Sequence, residues 1–395
     1  MPTNMLIPVS KMTVEAVAKR SSQRLIIWAV VGCLVSIHAV LGAKSEAAGE
    51  SDLSLRQLSR DNLLVYNSAE GQQQPVQTTE DWRIRRRQIL DGMQAVMGEL
   101  PGDRKRCSLE VEAESEVDCG SYVRRSIFYR SEPNCRVPAY LLVPKAALQQ
   151  TDRKFAAILC LHETDKKVGH GVIISGIAGS GKHPYASELA ERGYVVLAPN
   201  YPLLAEYQPD LNELQWQSGT LKAVWDNIRG IDLLTALPFV AANKIGVIGH
   251  SLGGHNGVFT AAFDERIQVI VSSCGFDSFL DYLIHKPSAW NAGTHWAQPR
   301  YMPRMAAYRG RLKDIPFDFH EVVAALAPRR VLIIAPLRDG NFQASSVDRI
   351  AAAARPIFSL YGQSDLLEVE HPDNPHEFSE AMREVAYQLF DEAFR

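Results

Sequence analysis

The sequence predicts an α/β fold: a mostly parallel, doubly wound sheet with antiparallel N-terminal strands and a cap inserted late in the chain. Three observations carry this. From Phe155 onward, short apolar runs of strand length alternate with segments of helical periodicity, the pattern of successive β-α-β units. Ahead of Phe155, three extended segments lie close together, with a turn-like Ser131-Glu132-Pro133-Asn134 between the last two, as in an antiparallel hairpin. Between about 275 and 325 the alternation stops, and aromatic residues and prolines collect instead.

The chain has 395 residues, enough for one large domain with extensions or for two smaller ones. Its formal charge of −3 leaves no basic footprint, so nucleic acid is not an expected partner. Lys11, Lys19, Arg20 and Arg24 precede an apolar run from Leu25 to Leu41, which ends in Gly42-Ala43 and a polar start. That order reads as an export signal over residues 1–43, and residues 25–41 are also long enough to stay as a membrane anchor. Residues 44–104 read as an extension: a polar, irregular lead-in to about 80, then an amphipathic helix from Asp81 to Met97. Its apolar stripe is Trp82, Ile84, Ile89, Leu90, Met93, Val96 and Met97, and Arg85, Arg86 and Arg87 are expected on the solvated face.

Residues 105–395 make up the main domain. Strands are expected at Ser108 to Ala113, Tyr122 to Tyr129 and Val137 to Val143, followed by the continuous apolar strand Phe155 to Leu161, buried on both faces. Helix Tyr185 to Arg192, strand Tyr194 to Ala198, helix Thr220 to Leu237 and strand Lys244 to Ile248 come next. A helix ending at Phe263 and a strand from Ile267 to Ser273 follow. The segment 275–325 sits after a strand's carboxyl end, where it is either a lid over a site or a plain packed excursion. Beyond it lie strand Arg330 to Ala335, helix Ser345 to Ala354, strand Leu366 to Glu370 and helix Phe378 to Phe394. For the exported chain, two of Cys107, Cys119 and Cys135 are expected to form a disulfide, with Cys107–Cys119 the first choice, whereas Cys160 and Cys274 read as buried thiols.

The chemistry centres on Gly249-His250-Ser251-Leu252-Gly253. Five residues of this pattern arise often by chance, but here a strand runs in and a helix runs out, which is the setting of a nucleophile elbow. A serine hydroxyl is a weak nucleophile at neutral pH. It needs a neutral imidazole within reach and an acid to orient that imidazole. In an open parallel sheet those groups must come from loops at the strands' carboxyl ends. By that rule His376, between the last strand and last helix, is the expected base, with His371 as runner-up. Asp339, after a strand's carboxyl end, is the expected acid, ahead of Asp365 at an amino end. The oxyanion donors are expected from the amides of Leu252 and of Thr164, with Glu163 as the alternative to Thr164. His250, Trp290, Trp296 and Tyr301 are candidate substrate contacts, and no metal or organic cofactor is expected.

At these residues the chain resembles the α/β-hydrolase superfamily, and more narrowly the exported bacterial branch grouped with dienelactone hydrolases and acetyl xylan esterases. The similar features are Leu161-His162-Glu163-Thr164, Glu191-Arg192-Gly193-Tyr194 with Leu197-Ala198-Pro199, Gly249 to Gly254, Ala327-Pro328-Arg329 and His376-Glu377-Phe378. Dienelactone hydrolases carry a cysteine nucleophile where this chain has Ser251. The resemblance therefore implies hydrolysis of a carboxylic ester, such as an acetyl group on a plant or algal polysaccharide.

Three rival readings meet obstacles in the sequence. Gly176-Ile-Ala-Gly-Ser-Gly-Lys-His183 nearly matches a phosphate loop, but His183 stands where a magnesium-binding hydroxyl is needed, so no nucleotide is expected. A peptidase of the prolyl oligopeptidase type shares fold and triad, yet only about 60 residues precede the first strands, too few for its propeller. A non-catalytic binding protein on a hydrolase fold would be expected to lack one triad member, and all three candidates are present.

Overall fold

The lead-in expected to be irregular forms a small antiparallel hairpin, Val65–Asn67 (β1) with Gln73–Pro75 (β2), before helix Thr79–Met97 (α1). The structure, a computed structural model, describes residues 58–394 apart from 150, 151, 180 and 182. The expected export segment 1–43 lies outside the described residues. Helix α1 starts where the sequence can cap it: Thr78 and Asp81 form a reciprocal capping box.

The arginine run of α1 corrects an expectation. Arg85 lies three residues from Trp82 and four from Ile89, so helical spacing puts it on the buried stripe, while Ile84 points outward. The Arg85 guanidinium pairs with Glu321, itself buried. Arg86 donates to the carbonyls of Ala262 and Ala325, at 2.8 and 3.0 Å. Only Arg87 of the three is exposed.

A nine-stranded sheet forms the body. Its strands are Glu112–Asp118 (β3), Tyr122–Glu132 (β4), Cys135–Pro144 (β5), Phe155–Leu161 (β6), Val195–Pro199 (β7), Val240–His250 (β8), Ile267–Ser273 (β9), Arg330–Ile334 (β10) and Leu367–Glu370 (β11), in the spatial order β11-β10-β9-β8-β6-β7-β5-β4-β3. Pairings from β11 to β7 are parallel, and those joining β7, β5, β4 and β3 are antiparallel. The first edge strand lies further along the chain than its expected place at 108–113. The expectation followed apolar Leu109 and Val111, but what builds β3 is charge: Glu116 reaches Arg125 on β4 at 2.7 Å, and Glu112 pairs with Arg136 on β5. Such a charged, fully exposed edge resists pairing with another chain.

The expected disulfide does not form: Cys107 and Cys119 are both free thiols. The extended β3 stands between them and holds them at its opposite ends, far beyond the reach of an S–S bond.

Helices cover both faces. Tyr185–Glu191 (α2) lies on one face together with the last helix, Glu380–Phe394, while Gly219–Ala236 (α3) and Leu252–Phe263 (α4) join α1 on the other, with Phe319–Ala324 (α5) and Ala344–Leu360 (α6). Strand β6 divides accordingly, with Ala157, Leu159 and Leu161 facing the α1 side and Ile158 and Cys160 the other. Helix α6 continues past its expected end at Ala354, through Pro356, because Ile357 and Phe358 beyond the proline are wholly buried and anchor another turn. No helix among the described residues is long and apolar enough to cross a membrane.

The chain runs from β6 to β7 on one side, then crosses to β8 on the other. That reversal opens a crevice at the carboxyl ends of β6 and β8, where ligands bind in such sheets.

Candidate active site

Ser251 occupies the turn between β8 and α4 with φ 53° and ψ −116°, a left-handed conformation that L-residues enter only under restraint. The glycines around it are sterically required. A Cβ on Gly253 would lie 1.8 Å from the Leu161 carbonyl oxygen, and one on Gly249 would lie 2.3 Å from the Gly253 carbonyl carbon. The Ser251 amide donates to the Ser273 carbonyl at 2.8 Å, which ties the turn to β9.

His376 Nε2 lies 2.9 Å from Ser251 Oγ, and its Nδ1 lies 2.8 and 3.0 Å from the two oxygens of Asp339. A carboxylate accepts, so Nδ1 carries the proton and Nε2 is left with a lone pair toward the serine hydroxyl. The Asp339 side chain is only 2% exposed. Burial raises its pKa, but the bond from His376 and the amides of Asn341 and Phe342 outweigh it and hold the carboxyl below its ordinary value. The runner-up His371 is turned away: its Nδ1 donates to the Ala335 carbonyl at 2.7 Å, and its Nε2 lies 2.9 Å from Asp348. Asp365 lies ahead of β11, at the amino end as expected.

Leu252 is the first residue of α4, so its amide is among those with no acceptor inside the helix. Register places Leu161 of β6 beside Gly249, so the loop that carries Thr164 leaves the sheet next to the elbow. His162 sets the direction of that loop. Its Nε2 accepts from the Tyr201 amide at 3.0 Å, and its Nδ1 therefore donates to the Glu163 carbonyl at 2.7 Å. Burial lowers its pKa to about 4, so the ring is neutral. A carbonyl and the next amide point opposite ways across a planar peptide, so fixing the Glu163 oxygen fixes the Thr164 N–H.

Of the four candidate substrate contacts, two meet the site. His250 stands 5.1 Å from the His376 ring and stacks on Phe378, and the Tyr301 hydroxyl lies 3.5 Å from Thr164 Oγ1. Trp290 and Trp296 do not face it as expected. They are 2% and 6% exposed, packed on Phe279 and Tyr282 as part of the main core, because large rings in a proline-rich excursion bury against the body of the fold. The sequence reading missed Phe342, whose ring is 6.0 Å from His376, although its place three residues after Asp339 was a usable signal. It also missed that Glu163 and His183 approach His250. No local spacing links residues from three separate loops.

Sheet order, crossover and elbow together build the α/β-hydrolase fold. The family model described as "Glucuronyl esterase, fungi" matches residues 210–362, which include Ser251 and Asp339. The chain is 24% identical over 316 residues to "Putative hydrolase YtaP" of Bacillus subtilis (strain 168), covering 77% of this chain and 97% of that one. A glucuronoyl esterase from Solibacter usitatus superposes with a TM-score of 0.67 at 18% identity, over 85% of this chain and 97% of the other. The "putative acetyl xylan esterase" of Bacteroides fragilis NCTC 9343 does so with a TM-score of 0.53 at 17% identity, over 84% and 83%. These structural likenesses carry the fold.

Proposed function

We propose that this protein is a serine hydrolase that cleaves carboxylic esters of carbohydrates through an acyl-enzyme. The observation that carries the reading is the continuous hydrogen-bonded line from Ser251 through His376 to Asp339. In this reading His376 takes the Ser251 proton as Oγ attacks the ester carbonyl, and Asp339 stabilises the resulting imidazolium. The Leu252 and Thr164 amides receive the oxyanion. His376 then protonates the departing alcohol, and water releases the acid by the same steps.

The ester class is drawn from the similar proteins, which are named for glucuronoyl and acetyl xylan esters. An acetyl or uronoyl ester on a plant or algal polysaccharide fits both. We take residues 1–43 as an export segment, 44–104 as the N-terminal extension and 105–395 as the catalytic domain, with its cap at about 275–325. The basic start followed by the apolar run to Leu41 supports export.

The test is hydrolysis of p-nitrophenyl acetate, acetylated xylan, a benzyl glucuronate ester and a short peptide amide by the full protein, beside Ser251→Ala. Esters cleaved by the parent and left intact by the variant support the reading. Turnover that survives Ser251→Ala, or amide cleavage faster than every ester, overturns it.

A further inference from the structure

Beside the triad lies a second cluster whose side chains take no proton or bond in the proposed hydrolysis. Glu163 follows β6, His183 precedes α2 and His250 ends β8, and each offers a donor atom within 4.8 Å of the others. His183 is 8% exposed, and neither of its ring nitrogens has a hydrogen-bond partner. Oε2 of Glu163 is also buried and unpartnered, while Oε1 stands 3.6 Å from His183 Nδ1, beyond a hydrogen bond. Buried polar atoms without partners are uncommon and ask for a ligand. One cation could take a donor atom from each of the three side chains.

The donor set selects the ion. Two imidazoles and a carboxylate suit a borderline metal such as zinc, whereas magnesium and calcium prefer oxygen throughout. The Ser273 hydroxyl lies 3.2 Å from His250 Nδ1, the outer hydrogen bond that orients a metal-bound imidazole on its other nitrogen. We propose that Glu163, His183 and His250 bind a divalent transition-metal ion of the zinc class, and that its binding reversibly inhibits the neighbouring Ser251–His376 pair. The His250 ring lies 5.1 Å from that of His376, which must become cationic when it takes the serine proton. A dication offset by one carboxylate opposes that charge. The inhibitory half rests on the serine-hydrolase reading; the binding half does not.

The experiment titrates the full protein, stripped with a chelator and exchanged into chelator-free buffer, with zinc chloride in a calorimeter, magnesium chloride serving as control. About one zinc ion per chain is expected and no magnesium, with affinity reduced at least about tenfold in His183→Phe, which keeps a ring and removes both nitrogens. Glu163→Gln is the second variant, and each is compared only after its melting curve shows a folded protein. In parallel, p-nitrophenyl acetate hydrolysis by the stripped parent should fall at least about tenfold on saturation with zinc, while folded His183→Phe stays insensitive at that concentration. Failure of the parent to take up zinc, or equal uptake by a folded variant, overturns the site. Hydrolysis that zinc leaves unchanged or accelerates overturns the inhibition. A stripped protein that cleaves no ester defeats the hydrolase reading, and the calorimetry still decides whether the site exists.

Discussion

Nδ1 of His162 lies 2.7 Å from the carbonyl oxygen of Glu163, so a buried ring that touches no catalytic side chain controls the peptide whose amide is Thr164. In the proposed mechanism His162 is thereby a positioning residue. His162→Leu removes the tether while keeping an apolar filling. The expected result is a fall in kcat of about a hundredfold, near that of losing one oxyanion donor, with KM little changed. An equal change in both constants, or none, would mean that the Thr164 amide is not a donor.

The acid should matter through orientation and charge together. Asp339→Asn leaves shape nearly intact but lets the amide stabilise the wrong imidazole tautomer, so kcat should drop by about 10⁴ while the melting temperature at pH 7 also falls. The Asp339 carboxyl is held below its ordinary value, so the stability it contributes is present above the unfolded carboxylate range and lost as pH falls through its lowered folded value. Parent and variant should therefore converge in stability at acid pH. An activity loss below about tenfold in Asp339→Asn would point to a different acid.

The N-terminal extension is fixed to the α/β body by ions out of water. Arg85 on α1 meets Glu321 on α5, and Arg60 meets Asp318 at 3.2 Å with both side chains buried. Burial lowers the Arg85 pKa and raises that of Glu321 despite their attraction, so desolvation outweighs pairing in each. Arg85→Leu alone leaves a buried carboxylate and should destabilise by about 3–5 kcal/mol. Adding Glu321→Leu should recover most of that loss. Denaturant unfolding of the two single variants and the double checks it, and additive losses would show the pair to be uncoupled.

How much was legible follows from range. The parallel strands and the elbow are written locally, in runs such as Phe155 to Leu161 and in the glycines around Ser251. Even His376 and Asp339 could be placed, because topology obliges both to leave strands at the carboxyl end. What stayed hidden depends on partners far along the chain. Arg85 reads as solvated until Glu321, 236 residues away, supplies its counter-charge. Glu116 reads as loop until Arg125 of β4 lies across from it. Trp290 and Trp296 read as binding rings because nothing local tells an aromatic that lines a cleft from one that packs into the core.

Asp277 gives the sharpest pH test. It follows β9, is 1% exposed, and has one oxygen without a partner. Burial raises its pKa from 3.8 to about 8; the Gln343 amide opposes this, and the carboxylates of Asp281, Asp318 and Asp339 add to it. The folded protein thus holds a proton there that the unfolded chain releases near pH 4. A raised folded value means that the stabilisation is complete below the unfolded pKa and is lost as pH rises through about 8. Asp277→Asn keeps the shape and the bond from Gln343 but cannot ionise. Its stability relative to the parent should climb from pH 5 to pH 9, reaching on the order of 2 kcal/mol or more. Titrating groups that do not interact with Asp277 cancel in that difference, because they are common to both proteins. Unfolding curves that stay parallel across the range would show that Asp277 ionises as freely in the fold as outside it.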